Sequence, residues 1–297
     1  MNYGNFVEKL GEAIIKVTGT DPETKRVLKN NGTFHDVIII SREGKKVAPC
    51  PDLEKLYETF LDGKPLEEIV RDICGIPTAL QDVDLLQETF GDYKNVKGHV
   101  AYKLINYDMN RKLLETIPHR RFLDLAIVFY YVIPSEDNQL FSILITNEHM
   151  LLWGVTAEQV YEDAVCNTPD LREPELVSME SMMRMLLGDS EKIEEIEGRD
   201  ADEAVQMFVL SNKQRIYGAA AMLYRNILEE FAEKEQTDVY ILPSSVHEVI
   251  LIPVRNDINL QELNKMVREV NEHELQKEEI LSDHAYLYRR NTNQITM

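Results

Sequence analysis

The chain has 297 residues, room for one large domain or two modest ones, and with 44% hydrophobic residues it can bury a sizeable core. Asp plus Glu outnumber Lys plus Arg by 52 to 32, a formal charge of -20, and a field of that sign repels phosphate backbones and anionic lipid, which excludes nucleic acid and membrane surfaces as expected partners. Three scattered cysteines (Cys50, Cys74 and Cys166) and no basic-then-apolar leader point to a reducing, cytoplasmic setting.

Along the chain, Phe6, Leu10, Ala13, Ile14 and Val17 share one face and predict a first helix. "KRVLKNNGTFHDVIIIS" reads as a hairpin, because Asn31-Gly32 supplies the positive φ angles of a tight two-residue turn. Leu53, Leu56, Tyr57, Phe60 and Leu61 mark a second helix. Leu66, Ile69, Val70 and Ile73 mark a third, with Pro65 suited to a first helical position. Residues 1–98 are therefore expected as a helix–hairpin–helix lobe, and residues 99–297 as the main region.

"GHVAYKLINY" predicts a strand, and "RRFLDLAIVFYYVIP" a single long buried one. The latter holds the longest apolar run, Leu125 to Ile133, well short of the ~20 residues a membrane-spanning helix needs. "SEDN" then turns into "QLFSILIT". Ala157, Val160, Tyr161, Ala164 and Val165 predict a helix capped by Thr156, and a methionine-rich stripe from Met179 another, begun at Ser178. The segment 188–204, with eight acids against two bases, reads as a solvated loop. "VQMFVLS", a helix through Tyr224, Ile227, Leu228 and Phe231, the strands "VYILP" and "SVHEVILIPV", a helix from Leu260 to Val270 and a closing strand "HAYLYRR" follow. Strands and helices mix without a βαβ rhythm, which predicts an α+β fold with a mixed, mostly antiparallel sheet and flanking helices. "ILITNEHMLLWGVTAEQV" and "FVLSNKQRIYGAAAMLYRNIL" also echo each other as strand, polar turn, aromatic-Gly and helix.

Three stretches concentrate reactive side chains. In "YILPSSVHEVILIPV", read as extended, Ser245 and His247 share a face ~6.6 Å apart, and no G-x-S-x-G elbow presents either serine, so the stretch reads as an ordinary strand. "IPHRRFLDLA" gathers His119, Arg120 and Arg121 beside Asp124, either as an anion clamp or as an ion-paired strand start. "SDHAYLYRR" carries His284, Arg289 and Arg290, which either dock on the acidic body or join the first cluster. The candidate binding residues are thus His119, Arg120, Arg121, His247, His284, Arg289 and Arg290, and no catalytic residue is assigned. The seven histidines fall in no metal-ligand spacing, and neither a Walker loop nor G-x-G-x-x-G occurs, so no metal and no cofactor are expected.

The blocks "HVAYKLINYDMNRKLLETIPHRRFLDLAIVFYYVI", "ITNEHMLLWGVTAEQVYEDAVCNTP", "YILPSSVHEVILIP" and "LSDHAYLYRR" resemble an uncharacterised domain-of-unknown-function family of anaerobic gut Firmicutes over nearly the whole chain. The resemblance implies one integrated cytoplasmic unit and lends no activity. The expectation is a cytosolic, non-enzymatic binding or regulatory protein for a protein, peptide or small anionic ligand. The alternative is a hydrolase with His119 or His247 as base and arginine stabilising an anion.

Overall fold

The computed structural model describes residues 1–40, 51–75, 90–133, 142–187, 205–255 and 259–297. Helix α1 (Tyr3–Thr18) starts where the Asn2 side chain accepts from Asn5 N and stops at Gly19, whose φ of 70° an L side chain resists. It buries Phe6, Leu10 and Ile14 against α2 (Leu53–Leu61), α3 (Leu66–Gly75) and the hairpin β1 (Glu23–Leu28)–β2 (Phe34–Ile39), a core of its own within the N-terminal part. Asn31 and Gly32 do take positive φ (55° and 69°). They do so inside a five-residue connection, Lys29 to Thr33, closed by Lys29 N donating to Thr33 O, rather than in a two-residue turn. The reason is tertiary: Asn31 is buried, and its Nδ2 donates to the carbonyls of Lys277 and Ile280, both at 2.7 Å. Asn110 accepts from Asn31 N at 2.8 Å and donates to Asn31 Oδ1 at 2.7 Å. The loop is shaped to plug into the main body.

Among the described residues every strand pairing is antiparallel, and the α+β expectation is met. One sheet is built around β5 (Leu125–Val132), which pairs β3 (Val100–Asn106) along one edge and β4 (His119–Phe122) and β6 (Ser142–Leu144) along the other. A six-stranded sheet runs β12 (Gln294–Thr296), β11 (Tyr286–Arg289), β9 (Val239–Ser245), β10 (Glu248–Pro253), β8 (Phe208–Asn212), β7 (Pro174–Ser178). Because side chains alternate along a strand, Tyr102, Leu104, Leu125, Ile127, Phe129 and Tyr131 face one shared core with Leu210, Ile241, Val249, Leu251 and Tyr286 of the larger sheet. Helices α7 (Ala157–Leu171) and α9 (Ile227–Glu235) close that core; the short α4 (Tyr93–Val96), α5 (Arg111–Leu114) and α6 (Asn147–Trp153), with α8 (Met179–Leu187) and α10 (Leu260–His273), complete the α-helices of the described residues. Among the described residues no helix is long and apolar enough to cross a membrane.

Four local readings are corrected. "RRFLDLAIVFYYVIP" is the hairpin β4–β5, since Phe122 pairs Leu125 and the chain turns at Leu123–Asp124 with φ 53° at Leu123. No glycine or asparagine announces that turn. Asp124 anchors it instead, accepting from Ser282 Oγ (2.6 Å) and Tyr286 OH (2.8 Å). "SSVHEVILIP" is not continuously extended: Ser245 pairs Glu248, and Val246–His247 is the turn of the β9–β10 hairpin. Tyr224 precedes its helix rather than lying in it. The internal echo is not a structural repeat, because Asn147 begins a helix whereas Asn212 is followed by an irregular turn and a 3-10 segment, Gly218–Leu223. "SEDN" and the acidic segment 188–204 lie outside the described residues.

The predicted Thr156 cap is present as a reciprocal capping box: Thr156 Oγ1 accepts from Gln159 N, and Gln159 Oε1 accepts from Thr156 N at 2.9 Å. Thr156→Ala is expected to lower stability by about 1 kcal/mol in urea unfolding. A loss indistinguishable from zero would mean that packing alone holds the start of α7.

Candidate functional site

The second face of the β3–β5 sheet forms the floor of a cleft of about 490 Å³, within the size range of small-ligand pockets. Alternation turns Lys103 and Ile105 of β3, and Val128 and Tyr130 of β5, away from the shared core and into this cleft. The hairpin connection supplies Lys29 and Asn30, α2 supplies Lys55, the β9–β10 turn supplies Val246 and His247, and a 3-10 turn supplies Glu278 and Glu279. Tyr217 closes one wall.

The Tyr217 wall is conformationally expensive. Arg215 and Tyr217 both have φ 55° without being glycine, a cost of order 1 kcal/mol or more each, tolerated where surrounding structure over-determines it. Asn212 supplies part of that determination, its side chain accepting from Ile216 N (3.2 Å) and donating to Ile216 O (2.8 Å). Gly218 supplies the rest: a Cβ there would lie 2.5 Å from His247 O and 2.7 Å from Asn212 N, and closer still to Ser211 Oγ. The close approach lets Ser211 Oγ donate to His247 O at 2.7 Å, tying the turn of β9–β10 to β8.

Tyr217 and His247 are stacked, with ring centroids 5.9 Å apart and planes 11° from parallel. Tyr217 N donates to His247 Nδ1 at 3.2 Å. Burial pushes the His247 ring below its ordinary range, so it is neutral near pH 7, and with Nδ1 accepting, the proton sits on Nε2. The Lys103 ammonium lies 3.8 Å from the Tyr217 ring centroid. Its charge, assisted by those of Lys29 and Lys55, draws the Tyr217 phenol below its usual range against the opposing effect of burial. The other tyrosines whose acidity departs from the ordinary value, Tyr102, Tyr130 and Tyr286 among them, move upward because burial dominates. The cleft is thus a cationic environment in an acidic protein.

Lys55 is neutralised by Glu278 at 3.2 Å. Lys103 and Lys29 have no carboxylate partner among the described residues, and neither does Glu279 a cationic one. Ser245 does not form a nucleophile–base pair with His247, because its Oγ accepts from His247 N at 3.0 Å instead.

Of the residues singled out from sequence, only His247 lines this cleft. His119 bonds Ile117 O through Nδ1 at 3.1 Å and packs on Tyr107. Arg120 lies over Tyr161 and pairs Glu158 at 3.3 Å; Arg121 lies over Tyr107 and donates to Leu123 O. His284 contacts Asp124 at 3.3 Å, so "SDHAYLYRR" does meet "IPHRRFLDLA", through Asp124 rather than through the arginines. Arg289 pairs Asp238 at 3.0 Å and Arg290 faces Glu233 at 3.8 Å. These two line a larger hollow of about 560 Å³ with Gln236, Asp238 and Thr292, but carboxylates already answer their charge.

One group has the composition of a metal-ligand set. A ring nitrogen of His35 and carboxylate oxygens of Asp52 and Glu54 lie within 4.8 Å of one another. Two of the three are already engaged: His35 bonds Asp52 through Nδ1 and Glu278 through Nε2 (2.8 Å), while Asp52 Oδ1 caps α2 by accepting from Glu54 N and Lys55 N. The set reads as an ion-pair clasp between the hairpin, α2 and the turn that carries Glu278.

Lys29, Lys55, Lys103, Tyr217, Glu278 and Glu279 were not indicated by motif. Lys103 did carry a signal: in "VAYKLIN" a lone lysine interrupts a strand whose other residues are apolar or small, apart from its terminal Asn, and such a cation needs an answer inside the fold. A family model described as a family of unknown function, DUF5688, matches residues 3–290. No curated protein and no solved structure matches the chain.

Proposed function

From a chain that belongs to the DUF5688 family, we propose a binding or regulatory protein whose ligand is a small anion held in the Lys103–Tyr217–His247 cleft. The observation that carries this reading is the Lys103 ammonium. It is half-buried on the floor of a concave site in a protein of charge -20, with an aromatic face as its partner and no carboxylate among the described residues. A half-desolvated cation in that position favours an anion at close range. Lys29 extends the same field to the rim. The net acidity elsewhere keeps nucleic acid and anionic membranes as poor partners, and the cysteine usage suits the cytoplasm.

The hydrolase alternative draws little from the cleft. His247 Nδ1 already accepts a backbone N–H and Nε2 carries the proton, so the ring has no uncommitted lone pair with which to act as a base. Arg120, Arg121, Arg289 and Arg290 stand outside the cleft.

The test is thermal denaturation of the full chain with inorganic phosphate and a series of small carboxylates. At least one anion is expected to raise the melting temperature, as any ligand preferring the native state must. Lys103→Met should weaken that response at least tenfold in concentration, whereas Arg120→Ala with Arg121→Ala should leave it unchanged. A parent protein indifferent to every anion, or a Lys103→Met variant responding like the parent, would remove the proposal.

A further inference from the structure

The charges lining the cleft are not of one sign, and their arrangement narrows the ligand. Once Lys55 and Glu278 have neutralised each other, the described lining retains Lys29 and Lys103 as unanswered cations and Glu279 as an unanswered anion. Glu279 is held in place by its backbone, whose carbonyl accepts from Val246 N at 2.9 Å and whose N–H donates to Gln276 O at 2.9 Å. That fixes it beside the β9–β10 turn, at the His247 side of the cleft, and its charge is felt by both His247 and Lys55. Lys103 lies against Tyr217, which stacks on His247. The lining thus offers Lys103 and Lys29 as cations and Glu279 as an anion within one cleft.

A simple dicarboxylate or a phosphate would answer the lysines and leave Glu279 facing a like charge, which is unfavourable in a partly desolvated site. A polyphosphate would exceed the net excess of one positive charge. Resting on the anion-binding reading above, we infer that the ligand is an amino acid with an acidic side chain, its two carboxylates meeting Lys103 and Lys29 and its ammonium meeting Glu279. Two negative charges and one positive mirror two lysines and one glutamate, and a cleft of about 490 Å³ accommodates a molecule of that size.

Isothermal titration of the full chain with L-glutamate, L-aspartate, glutarate, L-alanine and inorganic phosphate tests the inference. Glutamate or aspartate is expected to bind at least tenfold more tightly than glutarate, which lacks the ammonium, and than alanine, which lacks the second carboxylate. Glu279→Gln should erase the preference over glutarate without weakening glutarate itself, and Lys103→Met should weaken both. If glutarate or phosphate binds the parent as tightly as the amino acids do, the ligand class is wrong while the anion site stands. If none of the five binds, the ligand class falls, and the anion site falls with it only when the wider carboxylate series also leaves the melting temperature unmoved. The comparison of ligands on the parent protein needs no variant, so a Glu279→Gln protein that fails to fold does not protect the inference.

Discussion

Gly218→Ala is expected to destabilise the protein by about 3 kcal/mol and to abolish its response to anions. The added methyl has nowhere to go. Two of the three atoms it meets, His247 O and Asn212 N, are backbone, at 2.5 and 2.7 Å, and cannot rotate aside as a flexible side chain would. Relief requires the segment around Gly218 to withdraw from β8 and the β9–β10 turn, which separates Tyr217 from the ring it stacks on and disturbs the bond from Ser211 Oγ to His247 O. Gly98 is the control: nothing lies within 4 Å of its hypothetical Cβ, and Gly98→Ala should stay within about 0.5 kcal/mol of the parent. Urea unfolding followed by a thermal-shift measurement on each variant decides the matter, and equal behaviour of the two alanine variants would show that the close approach at Gly218 is dispensable.

The second large effect concerns the clasp. His35→Ala removes the shared partner of Asp52 and Glu278, whose side chains are only 12% and 17% exposed, and leaves Asp52 with its helix-capping bonds and Glu278 with Lys55 alone. A loss of about 2 kcal/mol is expected. Asp52→Asn tests the charge alone, because asparagine still caps a helix. Burial pushes the Asp52 carboxyl up, but the hydrogen bond and charge of His35 and the N–H groups of Lys55 and Glu54 outweigh it and hold the carboxyl below its ordinary range. A carboxylate whose folded value is lowered contributes stability above its unfolded value, about 3.9, and loses it as the pH falls through the folded one. The gap between Asp52→Asn and the parent should therefore be fully open at pH 6 to 7, narrow below pH 3.9, and close at lower pH. A gap independent of pH would mean that the carboxylate charge contributes nothing to the clasp.

What the sequence displays and what it hides follow from the range of the interactions. Helices α1, α2, α3, α7 and α10 were legible because their apolar spacing is local, as is the cap that Thr156 gives α7. The antiparallel character was legible from the irregular mixture of strands and helices. The corner at Leu123 was not, since its φ of 53° is imposed on an ordinary leucine by Asp124, whose partners Ser282 and Tyr286 lie more than 150 residues away in sequence. The same limit hid the cleft. Lys29, Tyr217 and Glu279 are each unexceptional in their own windows, Lys103 and His247 stand out only singly, and the five meet only through the pairing of distant strands and the seating of the hairpin loop. The motif-like clusters, by contrast, were conspicuous because their residues are adjacent in sequence, yet adjacent strand residues face opposite ways, and Arg120 and Arg121 rest on separate tyrosines, Tyr161 and Tyr107.

Asn31 spans nearly the full chain when it donates to the carbonyls of Lys277 and Ile280, 246 and 249 positions onward. A nascent polypeptide emerging from the ribosome can complete α1, the β1–β2 hairpin and even the β3–β5 sheet while this link is still missing. One wall of the cleft is then absent, so the proposed anion site stays incomplete until residues 277–280 have been made, and a fragment ending before residue 277 should fold in part yet show no response to anions.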